Sequence, residues 1–118
     1  MMKQLKRSEC AILPLVLKGK WYDMIASGEK REEYRDFKPY WQKRIVKWSH
    51  EAQIISKDPK AQVVAFSRGY KKADMFFTVF GVTLLTRYYY RPLTSKWGEP
   101  ETPHFIILLG ERVELVLP

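Results

Sequence analysis

The chain has one cysteine, Cys10, and two histidines, His50 and His104. A lone cysteine excludes an internal disulfide. Neither histidine lies near another soft ligand in the sequence, so no zinc site is expected. Long apolar runs are also missing: FIILL at 105–109 is far too short to span a bilayer. No apolar core follows the basic residues of MMKQLKRSEC, so no signal peptide is expected. The expected setting is a reducing cytoplasm, with no membrane, metal or cofactor. Repeats and low-complexity segments are absent from the sequence as well.

What is present suits one folded domain. The chain has 118 residues, 46% hydrophobic and 14% aromatic, enough apolar surface for a core. Lys and Arg total 21 against 13 acids, a net charge of +8. Residues 1–86 hold 17 basic and 9 acidic groups, and residues 87–118 hold 4 of each. The whole excess therefore sits in the first three quarters. Such asymmetry points to a basic face able to attract phosphate. Scattered solvated lysines are the plain alternative.

Hydrophobic periodicity gives the element order. Residues 1–11 are polar and expected to be a flexible start. ILPLVLK (12–18) is a strand, with Pro14 placing it at an edge or near a strand start. In KWYDMIASG, Trp21, Met24 and Ile25 mark one face of a short helix, and Gly28 stands where a helix ends in a left-handed residue. REEYRDF (31–37) reads as a strand. KPYWQKRIVKW (38–48) is a helix, with Pro39 at its first position and Trp41, Ile45 and Trp48 on one face. AQVVAFSRGY (61–70) is a strand entering a glycine turn. MFFTVFGVTLLTRYYY (75–90) is a long β segment that Gly81 bulges or bends. Residues 91–103 are a loop, and HFIILLGERVELVLP is two strands or one long bent one. The order favours a small closed or nearly closed β-barrel with helices over one end. An open antiparallel sheet carrying two helices on one face is the alternative.

The stretch SGEKREEYRDF (27–37) is unusual because seven of its eleven side chains are charged, yet apolar segments flank it. On a strand, Glu33 and Arg35 share one face, and Glu32, Tyr34 and Asp36 the other. Tyr34 argues that its own face is inward; Phe37 argues for the Glu33–Arg35 face. Lys30 falls at the bend between helix and strand. A solvated ion pair would contribute only ~0–1 kcal/mol. A carboxylate near apolar material instead needs Lys or Arg as partner. Lys30, Glu33 and Arg35 together suit a polar ligand with a phosphate.

These residues carry a resemblance. Gly28, Lys30, Glu33 and Arg35 form a G-x-K-x-x-E-x-R pattern between WYDMIASG and YW. With FSRGY (66–70), the Trp97-Gly98 pair and the ending FIILLG, the chain resembles an ASCH domain of the PUA-like superfamily, from about residue 12 to 112. The resemblance implies an α+β fold: a single domain over 12–118, a small PUA-like mixed β-barrel with two or three short helices at its rim. It also implies RNA or nucleotide ligands held near the motif. Acetylcytidine amidohydrolases of the same superfamily place a threonine three residues after the lysine, and Glu33 occupies that position here. The hydroxyl is therefore missing, which moves the reading from that chemistry towards recognition.

Other residues join as candidates. Arg68, Tyr70 and Lys71 surround the Gly69 turn, where cations beside an aromatic suit single-stranded nucleic acid. Trp97, in a proline-rich loop, is a stacking candidate, whereas Trp21 and Trp41 fall on apolar helix faces. Lys38, Lys43, Arg44 and Lys47 give the second helix a basic side. The first expectation is thus a monomeric binder of RNA or a nucleotide-like ligand through Lys30, Glu33, Arg35, Arg68, Tyr70, Lys71 and Trp97. A hydrolase of RNA or a modified nucleoside, with Lys30 and Glu33 as the acid–base pair, is the second. A module for an acidic protein partner is the third.

Overall fold

The computed structural model describes residues 2–52, 60–85 and 103–117. Among these residues, six strands and two α-helices follow in the order β1 (Lys3–Lys6), β2 (Cys10–Leu17), α1 (Gly19–Ala26), β3 (Glu32–Asp36), α2 (Pro39–Glu51), β4 (Ala61–Arg68), β5 (Met75–Leu85) and β6 (His104–Val116). A single 3-10 turn, Arg7–Glu9, links β1 to β2. The fold is α+β with one mixed sheet in the order β1-β6-β5-β4-β2, and β3 pairs β6 beside that path. The β1–β6 and β2–β4 pairs are parallel, and the others antiparallel.

The start of the chain departs from expectation. Residues 3–6 are not loose: they pair with Val113–Val116. The two partners lie at opposite ends of the sequence, so local composition carries no trace of the pairing. Strands β5 and β6, with 11 and 13 residues, are the longest of the described strands, in line with the long β segment read from residue 75 onward. Gly81 sits at an irregularity of the β5–β6 register, as expected. Of the two alternatives for the C-terminal segment, one long strand forms, and Gly110 does not interrupt it. This glycine lies inside β6, where an added Cβ would meet the Thr78 carbonyl oxygen at 3.1 Å.

Residues from β2, β4, β5 and β6 and from both helices form one apolar core. On β2 the odd positions Ala11, Leu13, Leu15 and Leu17 face it. On β4, Val64 and Phe66 lie beside Leu13 and Leu15 in register and share that face. α1 is anchored by Ile25, whose full burial contributes about 2 kcal/mol. α2 is anchored by Ile45 and Trp48, and the Trp48 indole donates to the carbonyls of Ala11 and Val63. Among the described residues no ladder joins β3 to β2, so backbone pairing does not close the sheet into the expected barrel. Instead, Arg35 on β3 donates from Nη2 to the Val16 carbonyl on β2, at 3.2 Å. A side chain bridges the two strands where a barrel would have a ladder.

Candidate functional site

The site begins at the end of α1. Gly28 adopts φ +84°, a left-handed conformation that costs other residues about 1–2 kcal/mol. This turns the chain back, and the Lys30 amide donates to the Met24 carbonyl at 2.9 Å. Lys30 is thereby pinned at the bend where the sequence put it. Leu109 donates to the Arg31 carbonyl at 3.0 Å, and β3 then runs antiparallel to β6.

Register decides which face of β3 points inward. Glu33 pairs with Ile107 and Arg35 with Phe105, and both partners belong to the core. Cross-strand partners share a face, so Glu33 and Arg35 lie on the core side. Tyr34 is nevertheless buried too, on the opposite face, edge-on to the His104 ring at 5.6 Å. His104 is fully buried, and neither ring nitrogen has a hydrogen-bond partner among the described residues. The sequence showed no role for it; its burial comes from tertiary packing. Each face of β3 therefore holds one buried residue, which is why Tyr34 and Phe37 gave opposite indications.

Lys30 and Glu33 are only 3% and 4% exposed. Lys30 Nζ donates to Glu33 Oε1 at 2.9 Å, and Arg35 Nη1 donates to Glu33 Oε2. Both carboxylate oxygens are thus occupied by cations. The Lys30 ammonium also lies 4.6 Å from the centre of the Trp21 ring and 5.2 Å from that of Tyr34, positions that favour a cation. Trp21 roofs the lysine and is not part of the apolar core. Arg35 donates further to the Tyr34 carbonyl at 2.7 Å and lies 5.1 Å from the Trp41 ring centre. A guanidinium carries five N–H donors. Glu33, Tyr34 and Val16 take three of them, leaving two free among the described residues.

Arg35 is where this buried triad meets the surface. A groove of about 490 Å³ is lined by Arg35, Tyr34, Tyr40, Trp41 and Tyr70, with Pro14, Val16 and Asp36 completing the wall. Neither Lys30 nor Glu33 lines it. Tyr70 is almost fully exposed at the Gly69 turn and lines the groove. Arg68 does not. It binds Asp23 of α1 through Nε and Nη2, both at 3.2 Å, and lies against Gly19. The hydrogen bond to Arg68 holds the Asp23 carboxyl below its usual range, and the same bond raises the arginine. Lys71 is exposed and lines none of these walls. Trp97 lies outside the described residues. Tyr40 was not singled out by the sequence; its place on α2, one residue before Trp41, was the available hint.

Among the described residues no group of three His, Cys, Asp or Glu side chains could hold a metal ion. No helix there is long and apolar enough to cross a membrane. Comparison of the chain with protein-family models, curated proteins and solved structures gives no match.

Proposed function

We propose that the chain binds RNA or a nucleotide-like ligand in the groove at Arg35, as an ASCH-type, PUA-like domain whose curled sheet acts as an open barrel. The observation that carries this reading is a fixed guanidinium with two spare donors among the described residues, in a groove lined by the exposed rings of Tyr40 and Tyr70 and by the half-buried ring of Trp41. Bases stack on such rings, while an arginine fork reads phosphate or a base edge. Glu33 and Lys30 act through Arg35. The carboxylate aims the guanidinium, and the lysine balances its charge beneath the aromatic roof. Both groups are spent on each other and set back from the groove, which weighs against their use as the acid–base pair of a hydrolase. Fluorescence anisotropy with a labelled single-stranded RNA tests the reading. Arg35→Gln should weaken binding by about tenfold or more, and Arg35→Lys should not restore it, because an ammonium lacks the planar fork. Equal binding by wild type and a folded Arg35→Gln variant would exclude this site.

A further inference from the structure

The exposed side of α2 continues the groove. Tyr40, Arg44 and Lys47 stand at i, i+4 and i+7, so they line one face over about 10 Å of helix. Trp41, Ile45 and Trp48, one residue on, form the stripe turned to the core. The Arg44 guanidinium lies 4.1 Å from the centre of the Tyr40 ring. Between this face and β2 runs a second groove of about 370 Å³, lined by Tyr40, Arg44 and Lys47, with Glu51 as its one acid among the described residues. Pro14, Tyr40 and Trp41 line both grooves, so the two run into each other at the N-terminal end of α2. Among the described residues no carboxylate lies within ion-pair distance of Lys43, Arg44 or Lys47. Among the described residues the only other acid on the joint path is Asp36, whose carboxylate is 3.7 Å from Lys38.

The floor of this path also disfavours an extended peptide. Val16 turns its carbonyl to the open side of β2, where Arg35 takes it. Pro14, two residues earlier, points the same way and has no N–H to offer. A partner strand would find no regular ladder there. What remains is a row of cations beside a stacked aromatic, the chemistry of a single nucleic-acid strand.

We propose that the joined grooves are the track of a single RNA strand. One nucleotide sits at Arg35, and the chain runs along α2, where Arg44 and Lys47 meet successive phosphates and Tyr40 lies under a base. The proposal rests on reading the Arg35 groove as an RNA site, and it makes the ligand a strand and not a lone nucleotide.

The test compares a labelled uridine oligomer, followed by anisotropy, with uridine monophosphate, followed by NMR, on the full chain. Both Arg44 and Lys47 are exposed, so Arg44→Gln/Lys47→Gln should fold normally. This variant is expected to bind the oligomer on the order of tenfold more weakly, with a log–log salt slope shallower by about 1.4, since each single-strand phosphate contact contributes about 0.7. Its affinity for uridine monophosphate should equal that of wild type. If the double variant keeps the oligomer affinity and slope while Arg35→Gln loses them, the track is wrong and the pocket stands. If oligomer binding needs Arg44 and Lys47 but ignores Arg35→Gln, the pocket reading fails and the joined track with it. Binding of polyglutamate with the same dependence on Arg44 and Lys47, and no loss of oligomer binding in Tyr40→Ala, would mark a surface for acidic protein and overturn the proposal.

Discussion

Replacing Glu33 with glutamine tests whether the charged motif is a buried device or a surface ion pair. The substitution keeps shape and one acceptor but removes the negative charge between Lys30 and Arg35. Lys30, 3% exposed, would then hold an ammonium with no counter-ion among the described residues. Its ring contacts, at 4.6 and 5.2 Å, offer only about 0.5–2 kcal/mol. Removing one partner of a buried pair costs about 3–5 kcal/mol. Arg35 is less stranded, because its side chain is 15% exposed and keeps two carbonyl acceptors. The expected loss is therefore at the low end, about 3 kcal/mol, read by urea denaturation or as a fall in Tm of about 10 °C. Lys30→Met should cost less, about 1–2 kcal/mol, since Glu33 retains Arg35. The double variant should then cost less than the sum, because no ammonium is left unpaired. A loss below about 1 kcal/mol for Glu33→Gln, or strict additivity, would mean a solvated pair and refute the reasoning.

Three further outcomes follow from the same geometry. Gly28→Ala should destabilise by about 1–2 kcal/mol in urea, because the space around its Cβ is empty and only the left-handed backbone resists; Gly28→Asn should cost less. Trp48→Phe should cost about 1–3 kcal/mol, since the carbonyls of Ala11 and Val63 lose a shared donor in a buried position. The Asp23–Arg68 pair holds the Asp23 carboxyl below the ordinary value of 3.8, so its stabilisation is present above that value and is lost as the pH falls through the lowered one. Unfolding midpoints of wild type and Asp23→Asn should therefore differ slightly at neutral pH and converge under acid conditions; a gap that widens on acidification would contradict the assignment.

Local features of the chain were legible in the sequence. Pro14 marked the terminal strand of the sheet path, Gly28 the end of α1, Pro39 the first turn of α2, and Gly81 an irregularity in β5. Each is a short-range constraint that one residue imposes on its own backbone. The readings that missed or stayed open depend on distant partners. The inward face of β3 is set by its register with Phe105 and Ile107, some seventy positions away. Arg68 looked like a free cation beside Tyr70 because Asp23, its partner, lies 45 positions earlier. The strand at Lys3–Lys6 exists only because β6 passes beside it. At the candidate site the motif residues were found, but their roles shifted. Lys30 and Glu33 lie behind Arg35, and the accessible surface adds Tyr40 and Trp41 from a helix the motif does not include.

The most direct measurement is a two-dimensional NMR titration of the wild-type chain with a short single-stranded RNA. Amides of residues 34–36, 40–41 and 70 should shift together, saturate at one affinity, and stay still in Arg35→Gln. Shifts confined to residues around Cys10, at the other end of β2 from Val16, or a spectrum unchanged at low salt, would contradict a ligand site at Arg35.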